Sequence, residues 1–338
     1  MTFLKELTKN GLLGLILIGA GLFGVIACSD DEAAPNPFIK TPGTGEFYRI
    51  SAFGNVDVIP SKRQVRILAR VTDSLHFGVP GLEKSDFEVL ENNEDKVSDV
   101  EANTKIDPDS IPFTIKTVLL LDISKSLEGE INNIKTAVNN LIDAKVDQQE
   151  FAIYTFDSKV NMIQDFTSDA ITLKNSVNAL PESELDASTN LYRAIIDASK
   201  AWQDKITIDE IQEGSMIIFT DGKHNADPNL NLNAAIGAIK GKSVFVAALD
   251  GPNLDEANLK SIVGNEARYL LADDISKLEE VFLSIQQKII TQSKSIYYIT
   301  YTSPISVSGT QNLKVLLKNN RNIGEDCMVE KTFSTSGF

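Results

Sequence analysis

The sequence predicts an α/β fold: a doubly wound, mostly parallel sheet inserted in, or flanked by, a small β-sandwich. Between residues 115 and 290, short apolar runs alternate with amphipathic segments, as parallel strands joined by crossover helices do. On either side, over residues 46–112 and 293–338, the pattern changes to a period of two, the mark of half-buried strands. The C-terminal strands are too few to form a sheet core of their own. They therefore complete the β region that precedes the α/β unit, which enters and leaves the sandwich at one end. A length of 338 residues fits about two domains, each with its own core.

Composition narrows the function before any motif is read. With 42% hydrophobic and 23% charged residues, the chain is globular rather than disordered. Its 47 acidic and 32 basic residues leave a net charge of −15, without any cluster of Lys and Arg. Nucleic acid and anionic lipid headgroups are thereby excluded as direct partners, because phosphate binding relies on such clusters. Cys28 and Cys327 are the only cysteines, so there is neither a disulfide framework nor a CxxC metal site. His76 and His224 are the only histidines, far apart in sequence, which removes a His-rich zinc site.

Taken in order, the chain opens with Lys5 and Lys9 ahead of an uncharged apolar run, residues 11–27. This is the charged region and apolar region of a secretory signal, and the run is short for a membrane span. Val25-Ile26-Ala27-Cys28 resembles the lipobox of bacterial lipoproteins. That resemblance implies a signal peptide over residues 1–27, cleavage before Cys28 and acylation of its thiol, with several acyl chains holding the protein on a membrane. Ser29-Asp30-Asp31-Glu32, followed by Pro35, Pro37 and Pro42, makes residues 28–45 an extended tether. The acidic run also resembles surface-export tags of lipoproteins in some Gram-negative lineages, although a plain solvated linker has the same composition. The expected location is the bacterial cell envelope, at the outer membrane in preference to the inner, with the cell surface a further option.

In the first β region (46–112), Val65, Ile67, Ala69 and Val71 alternate with polar or outward positions. Pro80-Gly81 marks a turn, Phe87 and Val89 a further strand, and residues 91–95 a loop. Gly43-Thr44-Gly45 lacks the third glycine and the preceding strand of a phosphate loop and is discarded. In the α/β unit (113–292), strands are expected at 118–121, 151–156, 160–163, 216–219 and 244–248. The second and third are joined by a tight turn at Asp157-Ser158. Ile131, Ile134, Val138, Leu141 and Ile142 form one face of a helix. A closing helix begins near Asp273 or Asp274 and carries Ile275, Leu278, Phe282, Ile285 and Ile289. It leads almost directly into the strand at Ile296, a path by which ligand binding would reach the sandwich (293–338). Trp202, at helical spacing from Ile195 and Ala198, reads as core; Cys327 reads as a buried thiol, and Tyr297, Tyr298 and Tyr301 as strand packing.

Three stretches place oxygen ligands where apolar strands end or helices begin. Residues 117–121 run into Asp122, with Ser124 and Ser126 at alternate positions beyond it. Asp186-Ala187-Ser188-Thr189-Asn190 stands ahead of a helix, and Phe219-Thr220-Asp221-Gly222 ends a strand in a carboxylate. Carboxylates and hydroxyls are hard donors that suit a small divalent cation such as Mg2+. A Ser- and Asp-rich turn also forms for purely structural reasons, so the residues alone leave both readings open.

Together these stretches resemble the von Willebrand factor A family over about residues 112–292. Its metal-ion-dependent adhesion site reads Asp-x-Ser-x-Ser, then a Thr before a helix, then an Asp at a strand end. Asp122, Ser124, Ser126, Thr189 and Asp221 match it in order. Tyr154-Thr155-Phe156-Asp157 and Asn190-Leu191-Tyr192 also agree. Residues 78–91, with Gly81-Leu82, Asp86-Phe87 and Glu91, resemble the β region that precedes this domain in bacterial relatives. The resemblance implies a six-stranded sheet. Ser124, Ser126 and Thr189 would bind the cation directly, while Asp122 and Asp221 would act through bound waters. The cation is expected to be Mg2+, with Ca2+ or Mn2+ as options. A protein ligand would complete the coordination with Glu or Asp. One departure is visible: Ala187 and Ser188 stand where the family often has glycines, which stiffens that loop but removes no ligand.

The expected function is therefore an exported, lipid-anchored binding and adhesion protein rather than an enzyme. One alternative is a metal-free scaffold for assembling envelope complexes. Another is a metal-dependent phosphotransferase or hydrolase, which would want a second carboxylate at position 124, where serine stands.

Overall fold

Strand burial separates the two parts of the chain: some strands are buried on both faces and others on one. The structure, a computed structural model, describes residues 45–93, 97, 105–107 and 111–338. The expected signal peptide, most of the expected tether and Cys28 lie outside the described residues. In chain order, β1 (Arg49–Ile59), β2 (Gln64–Thr72), β3 (Phe87–Glu91) and β4 (Lys105–Asp107) come first. The α/β part follows with β5 (Phe113–Asp122), α1 (Ile131–Asp143), β6 (Gln149–Phe156), β7 (Val160–Thr167) and α2 (Ala170–Asn178). It continues through α3 (Leu191–Ala198), β8 (Lys205–Ile206), β9 (Ile211–Thr220), α4 (Leu232–Ala238) and β10 (Ser243–Leu249). It ends with α5 (Glu256–Val263), β11 (Tyr269–Ala272) and α6 (Leu278–Ser293). Then β12 (Ile296–Thr302), β13 (Thr310–Leu317) and β14 (Met328–Ser334) return to the β region.

The central sheet has the order β11-β10-β9-β5-β6-β7, with β7 antiparallel to β6 and the others parallel. Six strands is the number the family resemblance implies; the sequence pattern marks five of them and not β11, and the two-residue β8, paired antiparallel with β9, makes a seventh. Val118, Leu119, Leu120 and Leu121 of β5 are completely buried because helices cover both faces. Leu119, Leu121, Ile217 and Phe219 pack on one face against Ile134 and Val138 of α1 and Phe282 and Ile285 of α6. Val118, Leu120, Met216 and Ile218 pack on the other against Leu191 and Ile195 of α3 and Leu259 of α5. Strand order reverses between β5 and β9, and the crevice at their carboxyl ends is where such sheets hold ligands.

Outside the α/β part, β1-β2-β12-β4 form one sheet and β14-β13-β3 a second. Their inward residues share one core: Val65, Ile67, Val71, Tyr297, Ile299 and Tyr301 from the first, Phe87, Val89, Val315 and Phe333 from the second. The segments before and after the α/β part thus pair directly, β12 with β2 and β13 with β3. Two residues, Lys294 and Ser295, separate α6 from β12. Side chains also bridge the two parts. Arg70 of β2 donates to Glu213 of β9 at 2.7 Å, and Lys288 of α6 lies 4.0 Å above the ring of Phe77 from the β2–β3 loop. Among the described residues no helix is long and apolar enough to cross a membrane.

Some elements differ from the sequence reading. The closing helix proper begins at Leu278; a 3-10 turn over Ile275–Lys277 precedes it, capped by Asp274, whose carboxylate accepts from the Ser276 amide at 2.9 Å. Trp202 is not on α3, which stops at Ala198, although it packs into the same core. It is held instead under Gly214, where an added Cβ would lie 1.8 Å from the indole. Cys327 is buried, as are Tyr297 and Tyr301.

Candidate metal centre

Three loops at the carboxyl ends of β5 and β9 and the start of α3 bring the matched side chains to one place. Asp122 ends β5 and is completely buried. Its Oδ1 accepts from the Ser124 amide at 2.9 Å, and its Oδ2 accepts from the Thr220 hydroxyl at 2.6 Å. The first bond folds the chain tightly beyond β5. The Ser124 and Ser126 hydroxyl oxygens lie 3.3 Å apart, and the Ser126 hydroxyl donates to Asp221 Oδ1 at 3.1 Å. Ser124 is buried and Ser126 exposed, so the group runs from the sheet end to the surface. Thr189 is buried just before α3, and a Cβ added at Gly222 would lie 3.8 Å from its Oγ1. Its hydroxyl therefore faces the turn that follows Asp221.

Neighbouring groups brace these loops. The Lys125 amide donates to the Asp186 carbonyl at 2.8 Å, tying the first loop to the one carrying Thr189. The Asp186 carboxylate accepts from the Ser188 amide and the Ser158 hydroxyl, both at 2.9 Å, and is held below the usual carboxylate range by those bonds. The Asn190 amide donates to the Asp157 carbonyl at 2.7 Å. Sequence reasoning missed Thr220 and Asn225. Thr220 stands beside Asp221, and a hydroxyl facing inward at a strand end is the signal that marks it. Nothing local marks Asn225.

Electrostatics decide what the group can hold. Burial pushes the Asp122 carboxyl up to about 6, against the hydroxyl and amide bonds that favour its charged form, and the nearby charge of Asp221 adds to the rise. Burial raises Asp221 as well, opposed by the Ser126 hydroxyl. Among the described residues, neither carboxylate forms an ion pair with Lys or Arg. Two carboxylates withdrawn from water without a counter-charge are expensive, and a divalent cation would supply the missing charge. The donor set fits one: every group is a hard oxygen. The 3.3 Å between the Ser124 and Ser126 hydroxyl oxygens is close to the roughly 3 Å edge of an octahedron with metal–oxygen distances near 2.1 Å. Among the described residues no three His, Cys, Asp or Glu side chains converge, so this is a hydroxyl-rich site unlike those of thiolate- or imidazole-bound zinc.

Residues 117–224 match the family model of the von Willebrand factor type A domain. With its doubly wound sheet, this protein contains a von Willebrand factor type A domain. The structure is similar to that of the conserved hypothetical protein BatB from Bacteroides thetaiotaomicron, with 19% identity, TM-score 0.45, and coverage of 54% of this chain and 100% of that one. It is also similar to the corresponding domain of a type V pili tip protein from Porphyromonas gingivalis, with 12% identity, TM-score 0.45, and coverage of 54% and 96%. A von Willebrand factor type A protein from Catenulispora acidiphila is similar over 87% of this chain and 74% of its own, with 12% identity and TM-score 0.45. No curated protein sequence matches the chain.

Proposed function

We propose that this protein is an exported, lipid-anchored binding protein that captures a protein ligand through a divalent cation, Mg2+ in the first instance. Ser124, Ser126 and Thr189 would hold the ion through their hydroxyls, while Asp122 and Asp221 act through water. The supporting observation is the convergence of these oxygens at the strand-order switch, with no cationic side chain among the described residues paired to the carboxylates. Bound there, the ion supplies a positive point at the surface for a partner's Glu or Asp carboxylate. The chain's own contribution is orientation. Thr220 and the Ser124 amide fix Asp122, and Asp122 in turn fixes the serine loop. Ser126, the exposed member, marks where the partner approaches. Hydroxyls rather than carboxylates as direct ligands leave net positive charge on the ion, which favours an anionic partner over catalysis. The lipobox at Cys28 supports anchoring at the bacterial envelope, at the outer membrane in preference to the inner.

A metal-free scaffold is the competing reading, since the Ser126–Asp221 and Thr220–Asp122 bonds already close the loops on themselves. Calorimetric titration of Mg2+, Ca2+ and Mn2+ into wild type and Asp122→Ala separates the two. Saturable binding by wild type, lost in the variant, supports the adhesion-site reading. No heat with any of the three ions would leave the scaffold.

A further inference from the structure

Four contacts bind the turn after Asp221 to the start of α3. The Thr189 amide donates to Asn225 Oδ1 at 2.7 Å, and the Asn225 amide donates back to the Thr189 carbonyl at 3.1 Å. One asparagine therefore pins both backbone groups of Thr189. One residue earlier, His224 Nδ1 accepts from the Tyr192 amide at 3.4 Å, and the two rings stack with centroids 4.1 Å apart. That amide is one of the orphan donors of the first turn of α3, so the imidazole caps the helix from another loop. The pairing assigns His224 the tautomer protonated at Nε2, which lies 3.3 Å from the Asp227 carbonyl.

We infer that Asn225, with His224 beside it, is a positioning clasp that fixes the Thr189 hydroxyl relative to the Asp221 carboxylate. Thr189 and Asp221 come from loops 32 residues apart, and the Thr189 hydroxyl meets the Asp221 turn at Gly222, where Asn225 and His224 join that turn to the start of α3. A ligand set assembled from separate loops needs such outer partners, whose loss typically weakens metal binding ten- to a hundredfold. Asn225 touches no ion in this scheme. It acts through the backbone of Thr189. The inference rests on the metal-site reading for its purpose, while the clasp itself stands on the hydrogen bonds.

Hydrogen exchange in the metal-free protein, with and without Asn225→Leu and Asn225→Asp, tests it. Leucine keeps the bulk and removes the acceptor; aspartate keeps the acceptor. The Leu variant is expected to exchange residues 189–192 at least tenfold faster than wild type while β5 and α1 stay protected. The Asp variant is expected to retain protection within about twofold. Mg2+ affinity of the Leu variant should fall roughly tenfold or more. Unchanged exchange in the Leu variant, or equal loosening in the Asp variant, would overturn the clasp. Loss of protection throughout both variants would also overturn it, by making Asn225 a residue of global folding. A wild type that binds no cation would remove the metal-site reading while the exchange result still judged the clasp.

Discussion

Replacing Asp122 with Asn in the metal-free protein should stabilise it at neutral pH. The carboxyl of Asp122, about 3.8 in an unfolded chain, is pushed up to about 6 by complete burial at the end of β5. At about 1.4 kcal/mol for each tenfold change in proton affinity, that rise amounts to about 3 kcal/mol. Because the folded pKa is the higher one, the folded protein keeps a proton between about pH 4 and 6 that the unfolded chain has released. Stability therefore falls as pH rises through that window and stays about 3 kcal/mol lower above it. Asn carries no charge, and its amide can bond to the Ser124 amide and Thr220 hydroxyl with Asp122's geometry, so its profile lacks this fall. Trp202 is the only tryptophan and sits in the core beneath β9, so its fluorescence reports unfolding of the α/β part alone. Urea titrations with a chelator at pH 4.5 and 7.0 should show the Asn variant gaining about 2 kcal/mol on wild type between the two, the rest of the fall lying below pH 4.5. Parallel profiles would refute the assignment of a costly buried charge to Asp122, and with it the reason for expecting a cation.

Other residues carry their own tests. Thr189→Val keeps the shape but removes the hydroxyl facing the Asp221 turn; Mg2+ affinity by calorimetry should drop roughly tenfold while the metal-free midpoint moves by less than about 1 kcal/mol. Arg70→Met leaves Glu213, whose carboxyl burial already raises it, buried opposite no partner at β2. Denaturant unfolding should show a loss of about 3–5 kcal/mol, most of it recovered in the Arg70→Met, Glu213→Met double variant. Phe282→Ala opens a hole where α6 meets Phe219, ring centroids 6.1 Å apart, and should cost about 3–5 kcal/mol in the same assay. Cys28→Ser should shift the protein from the membrane to the soluble fraction of fractionated cells.

The parts of the fold readable in the sequence are those where burial imposes a period. Val65, Ile67, Ala69 and Val71 face one core, and residues 118–121 are buried on both sides, so alternation and continuous apolarity mark them plainly. Edge elements are harder. In α2 only Leu173 and Val177 are buried, and β11 has four residues, too few to display a period. Trp202 is legible as core but not in its placement, because helical spacing from Ala198 says nothing about where the helix stops. At the site, the Asp-x-Ser-x-Ser spacing is visible because one turn holds all three residues, and the structure joins Ser126 to Asp221 at 3.1 Å. The braces are invisible. Asn225 works through the backbone of a residue 36 positions away, and Arg70 meets Glu213 across 143 positions, pairings that only the finished fold creates.

A crystal of the described domain soaked in Mn2+, with anomalous scattering recorded at the manganese edge, tests the central claim most directly. A single strong peak in contact with the hydroxyls of Ser124, Ser126 and Thr189 is predicted, with Asp122 and Asp221 linked to it through water. A map without a peak at that position, or with its strongest peak elsewhere on the acidic surface, would contradict the account.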